Sequence, residues 1–325
     1  MKKHEQLLNM LEAAGASHTS GEEISRMLNV SRTAVWKHVN KLRELGYVIE
    51  ASPRLGYTLA AKPDKLSTDA LSEAIRTDTF GRWLHLFETT VSTQEEAMRL
   101  AKQGAPEGSL VLAEEQTGGR GRQGRKFFSP SGKGIWMSVI LRPQQPLQYM
   151  PQLTLLAGVA VCRAVRRVTD VEAVIKWPND LLVDGRKICG ILLESAVEDQ
   201  RVRYCIAGIG IDVNLDADDY PEELKHVATS LKEAAGTPID RTALIAAVME
   251  ELEDLYTLYR QEGFKPIGVS WEALSATVGR QVSVRDNGQA VEGTAEGLDA
   301  SGALLVRRTD GSLVTVFSGD IQINS

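Results

Sequence analysis

The chain has 325 residues, enough for two or three domains, and 43% hydrophobic with 25% charged residues is ordinary globular composition. A net charge of −6 excludes a polycation that coats nucleic acid, and no uncharged apolar stretch approaches the roughly 20 residues of a membrane-spanning helix. Three cysteines without a Cys-x-x-Cys pair suggest no disulfide framework, so we expect a cytoplasmic protein without membrane contact.

The first sixty residues predict a winged helix-turn-helix domain, which we bound at 1–62. Apolar spacing and capping residues place helices at 4–14, from Ser20, and from Ser31 to about Leu45, and β-rich runs at 47–50 and 57–59 form a hairpin. This region carries nine basic and six acidic residues, whereas the rest of the chain is acidic. The charge distribution therefore favours the N-terminus for any contact with nucleic acid.

The third helix of a helix-turn-helix presents its polar face to the major groove. The motif spans residues 22–41, from Glu22 to Lys41. The predicted DNA contacts are Arg32, Thr33, Trp36, Lys37, Asn40 and Lys41, with Arg54 near the tip of the wing. The alternative is a three-helix packing module with a solvated basic face, but it does not explain a tryptophan on a wet surface.

A polar linker at 60–65 and an amphipathic helix over 66–79 lead into a middle domain, predicted to extend over 66–273. We place strands at 84–88, 110–115, 135–142, 173–176, 187–195 and 203–211, and helices at 94–102, 153–168 and 242–262. Strands and helices do not alternate regularly enough for a doubly wound sheet. We therefore expect a mixed α/β layer within an α+β protein.

A glycine-rich segment at 116–126, with the sequence QTGGRGRQGRK, is the densest feature of this domain. Its cationic side chains are Arg120, Arg122, Arg125 and Lys126. The spacing matches the dinucleotide fingerprint in letters only, because the Pro- and Gly-containing residues that follow cannot open a helix. Guanidinium groups bind phosphate and carboxylate oxygens in bidentate geometry, so we interpret the segment as a flexible loop that closes over a nucleoside triphosphate. A disordered RNA-binding segment or a solvated charge run is the alternative.

A second group of polar residues follows at 176–180, with the sequence KWPND. Asn179 and Asp180 offer hard oxygen ligands for Mg²⁺ or for an incoming amine. A hairpin turn at 184–185 then begins a strand with Lys187 at its mouth, where one ammonium can neutralise a carboxylate and a phosphate that approach each other. In the alternative interpretation the lysines are surface charges and the 184–185 pair is only a turn.

Short β runs and polar turns follow Gly279, which predicts a small SH3-like β-barrel over 279–325. The runs lie at 281–285, 290–298, 303–307 and 313–318, and the turns at 286–288, 299–302 and 310–311.

Five motifs in this order resemble the biotin–protein ligases: GRGRQGR at 119–125, SPxGxGIxxS at 129–138, KWPND at 176–180, RKxxGIL at 186–192 and GIGIxVN at 208–214. Ser92-Thr-Gln94 is similar to the segment that opens the family's biotin pocket. With the winged helix in front, the chain resembles the bifunctional class, ligase plus biotin-operon repressor, which implies a class II synthetase-like catalytic domain. Asp212 stands where many relatives have Asn.

The resemblance implies a role for each site residue. Biotin would be bound by Ser92, Thr93, Gln94, Gln116, Arg120, Gly121, Arg122 and Lys187. ATP and the adenylate would be bound by Arg120, Arg122, Arg125, Lys176, Asn179 and Asn214. The catalytic residues would be Lys187, Arg122 and Asp180, and Asn179 and Asp180 would hold a metal ion or position the acceptor lysine.

The implied reaction, dependent on ATP and Mg²⁺, joins biotin to AMP as biotinyl-5′-AMP. Biotin then passes to a lysine of the biotin carboxyl carrier protein of acetyl-CoA carboxylase or a similar biotin enzyme. The adenylate would also be the corepressor that favours a homodimer on operator DNA. Two alternatives remain. A sensor that has lost catalysis has no need of the arginine loop, the motif at 176–180 and Lys187, and a lipoate ligase is disfavoured by the Gly-Arg-Gly-Arg loop and the winged helix.

Overall fold

The computed structural model describes residues 2–44, 46–52, 54–61, 64–198, 201–286 and 289–323. The chain divides into two compact units, Met1–Lys65 and Leu66–Ser325. Leu45, Pro63 and residues 287–288, which end or interrupt predicted elements, lie outside the described residues. No helix in the described ranges is long and apolar enough to cross a membrane.

The N-terminal unit consists of three helices and a β-hairpin. The helices are α1 (Lys3–Ala14), α2 (Gly21–Leu28) and α3 (Arg32–Glu44), and the hairpin strands are β1 (Val48–Ser52) and β2 (Gly56–Ala61). They enclose a small core of Leu7, Leu11, Ile24, Leu28, Val35, Val39, Leu42 and Ile49. The predicted helix-turn-helix is confirmed, and the hairpin follows it where the wing is predicted.

Side-chain caps determine where the second and third helices begin. The Ser20 hydroxyl accepts a hydrogen bond from the Glu23 amide (3.1 Å), and the Ser31 hydroxyl accepts one from the Ala34 amide (3.2 Å). Each bond satisfies an amide that has no partner within its own helix. Between the two helices Asn29 adopts a left-handed conformation (φ 52°), which ends α2 and forms the tight turn.

A seven-stranded sheet organises the second unit. Its strands are β3 (Leu84–Thr90), β4 (Leu110–Gln116), β5 (Gly134–Leu141), β6 (Val174–Lys176), β7 (Asp180–Val183), β8 (Arg186–Glu198) and β9 (Arg201–Asp212). Their spatial order is β3-β4-β5-β9-β8-β7-β6, and β3 with β4 is the parallel pair among otherwise antiparallel neighbours. The predicted mixed α/β layer is therefore confirmed.

Six helices accompany this sheet. They are α4 (Thr68–Ala74), α5 (Thr93–Lys102), α6 (Pro151–Thr169), α7 (Leu231–Ala235), α8 (Arg241–Glu262) and α9 (Lys265–Ala273), with single 3₁₀ turns at Arg122–Gly124, Leu147–Tyr149 and Ala217–Asp219. The helix predicted over 66–79 was too long. Glu253 on α8 accepts hydrogen bonds from the amides of Asp78, Thr79 and Phe80 (2.7–2.8 Å), which holds these residues in a loop instead.

Strand alternation separates the two faces of the sheet. Ile209 and Ile211 on β9 join the main core, in which α6 and α8 pack. Gly208 and Gly210 point to the other face, since successive residues of a strand face opposite ways. Helix α5 covers one end of that second face through a cluster that includes Val111, and the rest of the face is left for a cavity.

Five antiparallel strands form the C-terminal sheet of the same unit. They are β10 (Gln281–Asp286), β11 (Gln289–Leu298), β12 (Leu304–Arg307), β13 (Leu313–Val316) and β14 (Asp320–Ile323), ordered β13-β12-β11-β10-β14. The sequence did not predict β14, which is short and follows Gly319 directly. Hydrogen bonds from Gln152 to the Ala300 carbonyl (2.8 Å) and from the Leu298 amide to Glu272 (3.0 Å) join this sheet to α6 and α9.

Candidate functional site

A cavity of about 630 Å³ occupies the uncovered part of the central sheet. Strands β5, β9 and β8 form its floor, and residues 120–128 and 220–228 lie over it. Residues 319–321 of the C-terminal sheet close one side. The volume lies within the range of about 300–1,000 Å³ that small-molecule sites occupy.

Paired glycines leave a gap in the side-chain layer of this floor. Gly190 on β8 lies opposite Gly210 on β9, and Trp136 on β5 flanks Gly210 on its other side. The ring of Phe127 fills the gap, so closely that a Cβ on Gly210 would lie 2.4 Å from Phe127 Cε1. The two glycines therefore let an aromatic ring lie directly against the sheet backbone, which larger side chains at these positions would prevent.

Uncharged polar side chains line one end of the cavity, where α5 begins. The Gln116 Oε1 atom accepts hydrogen bonds from the Thr93 amide (2.8 Å) and hydroxyl (3.1 Å), and its amide group donates to the Ser129 hydroxyl (2.9 Å). Ser92 accepts a bond from the Gln94 amide at 3.3 Å and so caps α5. The predicted biotin residues at 92–94 and 116 are thus brought together.

Gln94 fixes this end of the cavity to the sheet. Its amide group donates to the carbonyls of Leu192 (3.3 Å) and Ile206 (3.1 Å), and its Oε1 accepts a bond from the Ser138 hydroxyl (3.0 Å). Gly208 makes room for it, because a Cβ there would lie 2.6 Å from Gln94 Oε1. Ser138 was not predicted as a site residue, although a serine between the apolar residues of a buried strand was a signal for it.

The arginine–glycine loop, residues 119–126, is held against its surroundings. Arg122 donates a hydrogen bond to Asn179 Oδ1 (3.0 Å), and burial lowers the pKa of Arg122, while Asp320 and Asp180 oppose that shift. Arg125 pairs with Asp320 of β14. The loop therefore forms a turn with defined contacts to the residue before β7 and to the C-terminal sheet, and its flexibility stays a prediction.

Arg120 lies at the other end of the loop. Its guanidinium is 3.4 Å from Glu194 on β8 and 3.7 Å from Glu95 on α5. Its side chain is about one-third exposed, so these ion pairs are accessible to an incoming anion.

Lys187 stands at the cationic end of the cavity. Its Nζ lies 2.6 Å from Asp180 Oδ1 and 5.8 Å from the centre of the Phe127 ring. Hydrogen bonds of its backbone to Val227 (2.8 Å) and Thr229 (2.9 Å) fix the strand edge that carries it. The three predicted catalytic residues are brought together, because Arg122 binds the residue next to Asp180.

The predicted metal ligands are engaged with protein groups. Asn179 Oδ1 accepts from Arg122, its amide group donates to the Ile191 carbonyl (2.9 Å), and Asp180 pairs with Lys187. No group of three or more His, Cys, Asp or Glu side chains suited to a metal ion occurs in the described ranges. A metal role for Asn179 and Asp180 stays a prediction.

Asn214 is the predicted ligand-contact residue that the structure places outside the cavity. Its side chain exchanges two hydrogen bonds with the backbone of Ile239, each 2.9 Å long, and it is buried. Asn214 lies two residues beyond the end of β9, and its side chain points to the segment that precedes α8. Lys176 and Gly121, by contrast, line the cavity.

The carboxyl group of Asp212 lies on the cavity floor and was not predicted as a site residue. It is 7% exposed, and burial raises its pKa to about 8 against the opposing influence of Lys187. Tyr220 lies beside it within a small cluster, and burial raises the pKa of that phenol as well. The cluster consists of Trp136, Leu215, Tyr220 and Ala228, packed by Phe127, Phe128 and Leu224.

The N-terminal unit carries the candidate nucleic-acid interface on α3. The predicted contact residues Arg32, Thr33, Trp36, Lys37 and Lys41 are exposed, Asn40 is half-buried, and Arg54 is exposed in the hairpin loop. Trp36 leaves 55% of its surface to solvent, which is unusual for a tryptophan without a partner. The sequence did not predict Arg43, whose guanidinium donates two hydrogen bonds to the Ile49 carbonyl (2.7 and 3.2 Å) and so joins α3 to the hairpin.

Three family models match the chain. They are the biotin/lipoate A/B protein ligase family over residues 86–212, an HTH domain over 3–58 and the biotin protein ligase C-terminal domain over 277–323. Their order along the chain is that of the N-terminal unit, the central sheet and the C-terminal sheet.

Individual relatives cover most of the chain. The bifunctional ligase/repressor BirA of Bacillus subtilis (strain 168) is 44% identical over 98% of this chain and 97% of its own. The biotin–[acetyl-CoA-carboxylase] ligase of Mycobacterium tuberculosis is 33% identical over 74% of this chain and 88% of its own. The solved biotin protein ligase from Aquifex aeolicus in complex with biotin and ATP is 30% identical, with a TM-score of 0.64 over 74% of this chain and 98% of that one.

Proposed function

Because the chain belongs to the family of bifunctional biotin ligase/repressors, we propose that its cavity activates biotin with ATP and that its N-terminal unit binds operator DNA. The protein is a biotin–protein ligase and a repressor with a helix-turn-helix. One observation carries the assignment of the cavity: an uncharged polar end and a cationic end meet over a glycine floor.

The uncharged end suits the ureido ring of biotin. That ring is neutral and offers both hydrogen-bond donors and acceptors. Hydroxyl and amide side chains can partner both kinds of group, whereas a carboxylate side chain only accepts and an ammonium only donates. Thr93, Gln116 and Ser138 present hydroxyl and amide groups that already exchange hydrogen bonds in a buried network. A ligand that replaces some of these bonds leaves no buried polar group without a partner.

The cationic end suits the reacting groups. Arg122, Lys176 and Lys187 line the part of the cavity that adjoins β6–β8. The biotin carboxylate attacks the α-phosphorus of ATP in line, the bond to the β-phosphate oxygen breaks, and pyrophosphate leaves. Since two anions must meet, catalysis is positioning plus positive charge where negative charge gathers.

Lys187 is proposed to bridge the biotin carboxylate and the α-phosphate. Its ammonium lies 2.6 Å from Asp180, which neutralises it. When the two anions enter, the ammonium can turn towards them, and Asp180 becomes available to an incoming lysine ammonium. That lysine loses a proton to solvent, its neutral amine attacks the acyl carbon of biotinyl-5′-AMP, and AMP leaves.

The loops over the cavity are proposed to shield the adenylate, which is a mixed anhydride that water hydrolyses. Residues 119–126 contact Asn179 and Asp320, and Phe127 and Phe128 pack against the segment that contains Tyr220. Closure therefore involves the central sheet and the C-terminal sheet together.

We propose that the C-terminal sheet belongs to an SH3-like barrel at residues 279–325. It follows a class II synthetase-like domain at residues 66–273.

Mg²⁺ is proposed to arrive with ATP. It prefers octahedral oxygen coordination, usually by phosphates, waters and one or two carboxylates. Asn179 and Asp180 supply two such oxygens, but each is engaged by a neighbouring cation. We therefore propose that they contact Mg²⁺ as the ion that the nucleotide brings.

The repressor activity is proposed to depend on the same product. Biotinyl-5′-AMP would order the loops and favour a homodimer, in which two helix-turn-helix units engage two half-sites. We also propose that the acceptor is a biotin carboxyl carrier protein, that the DNA target is an operator of biotin genes, and that the protein is cytoplasmic.

The first experiment measures biotin-dependent exchange of labelled pyrophosphate into ATP, with lipoate as the control acid. Exchange with biotin alone supports the adenylation step. Binding of biotin without exchange would make the protein a sensor, and exchange with lipoate would overturn the substrate assignment.

The bridging role of Lys187 makes a sharper prediction. K187A should lower the exchange rate at least about 100-fold but weaken biotin binding, measured by calorimetry, less than about 10-fold, because the ammonium acts mainly where the anions meet. K102A is the matched control, since Lys102 is exposed at the end of α5, away from the cavity lining. Equal losses of exchange and binding in K187A would refute the bridge.

A further inference from the structure

Asp212 combines burial with a position on the reacting side of the cavity. It ends β9 on the same face as Gly208 and Gly210, and its strand partner on β5 is Gly134, which brings no side chain over it. The residue lines the cavity, yet only 7% of it is exposed. A ligand that fills the cavity removes the remaining water from this carboxyl group.

Among the described residues, two neighbouring groups act on the carboxyl group of Asp212. Lys187 approaches from β8 and the Tyr220 hydroxyl from the segment after β9, while Trp136 and Gly134 on β5 do not titrate. Asp180 on β7 adjoins the group through its ion pair with Lys187. Two further charged groups act on Tyr220: Glu233 raises the pKa of its phenol and Arg186 lowers it.

The charge balance limits which state of Asp212 the reaction can use. Asp180 already neutralises the Lys187 ammonium. An ionised Asp212 would be a second negative charge on the same side and would offset part of the positive charge that Arg122, Lys176 and Lys187 bring to the reacting anions. A neutral carboxylic acid avoids this effect and offers an O–H donor to an anion.

We propose that Asp212 takes part in adenylation as a neutral carboxylic acid, a positioning residue that leaves the charge of Lys187 to the reacting anions. The inference rests on the proposed ligase function and adds to it a residue and a protonation state.

The protonation equilibrium supports this assignment. Burial raises the pKa of Asp212 to about 8, so the neutral acid predominates at pH 7 and the carboxylate predominates above pH 8. The buried thiols do not interfere, because burial raises the pKa of Cys162 and Cys205 to about 11 and holds the pKa of Cys189 well above its ordinary value.

The test is the pH profile of kcat/KM for ATP in biotin-dependent pyrophosphate exchange between pH 7 and 9. The wild-type value should fall about tenfold over this range, because about one-eleventh of a group with a pKa near 8 is neutral at pH 9. D212N, in which the side chain has similar shape and no charge, should keep its pH 7 value to within about twofold at pH 9. At pH 7 it should lie within about threefold of wild type.

D218N is the matched control, because Asp218 is an exposed carboxylate six residues further on. It should reproduce the wild-type profile. A wild-type profile without the fall overturns the proposal whether or not D212N folds. So does a folded D212N that shows the wild-type fall or is inactive at pH 7. Absence of exchange in all three proteins at every pH would instead contradict the proposed ligase function.

Discussion

Two individual residues, Gly208 and Gly210, give the cavity its depth. Each one admits a side chain from another segment to within van der Waals contact of the sheet backbone: Gln94 over Gly208 and Phe127 over Gly210. A glycine pair in a strand usually weakens it, so the gain must lie in this close approach. The same floor carries Asp212, the buried carboxyl group whose protonation is inferred above.

G210A should impair the reaction more than the fold. The new Cβ would lie 2.4 Å from Phe127, and the ring must move by more than 1 Å to restore an ordinary contact. We expect kcat/KM for biotin in pyrophosphate exchange to fall about 10- to 100-fold, because a displacement of this size misplaces the reacting groups.

G158A provides the control for G210A. A Cβ on Gly158 of α6 would meet its nearest neighbour, Ile175, at 3.6 Å, which is ordinary contact. Exchange should be unchanged, and the melting temperature should be equal to or slightly above that of wild type, since alanine favours a helix. Unchanged exchange in G210A would show that the glycine floor is not needed.

Helix α3 presents the candidate interface at the scale of elements. Its buried stripe of Val35, Val39 and Leu42 orients the opposite face outward, and the capping Ser31 determines where that face begins. Arg43 then holds the helix to the hairpin, so that the recognition face and the wing form one surface. An exposed tryptophan among cations is the composition expected of a surface that contacts DNA.

R32A and K37A should each weaken operator binding about tenfold in gel-shift assays without lowering the melting temperature. Each removes one cation worth about 1–3 kcal/mol at a DNA contact. The exposed ion pair of Arg32 with Glu22 adds little to stability. K2A, which changes the same charge at the start of α1, should bind DNA as wild type does, and unchanged binding in R32A and K37A would contradict the assignment.

In the whole molecule, the proposed corepressor links the ligand cavity to the DNA-binding unit. The proposed corepressor is a reaction intermediate, so its supply depends on the enzyme's own turnover. A dimer with two helix-turn-helix units binds two half-sites with far higher affinity than a monomer binds one.

Biotin together with ATP should therefore shift the protein to a dimer in sedimentation experiments and raise operator affinity at least about tenfold. Biotin with α,β-methylene ATP is the control, because the bond to the α-phosphorus cannot break and no adenylate forms. If this mixture acts as well as biotin with ATP, the adenylate is not the corepressor. If neither acts, ligand-driven dimerisation is wrong.

The sequence alone determined the elements whose signals are local. Helix periodicity and caps predicted α1 to α3, and the turn signal at 184–185 predicted the β7–β8 hairpin, since both residues there take positive φ. Five ordered motifs led to the family because each preserves residue types that a single chemistry requires. The residues at 92–94, 116, 120–122 and 187 were predicted from the same resemblance.

Tertiary structure alone decided what depends on contacts distant in sequence. It ended the helix at Ala74 because Glu253, about 180 residues later, binds the following amides. It turned Asn214 away from the cavity towards Ile239, and it placed Asp320 of the C-terminal sheet on the arginine loop. The protonation of Asp212 belongs here as well, because burial rather than residue type sets its pKa.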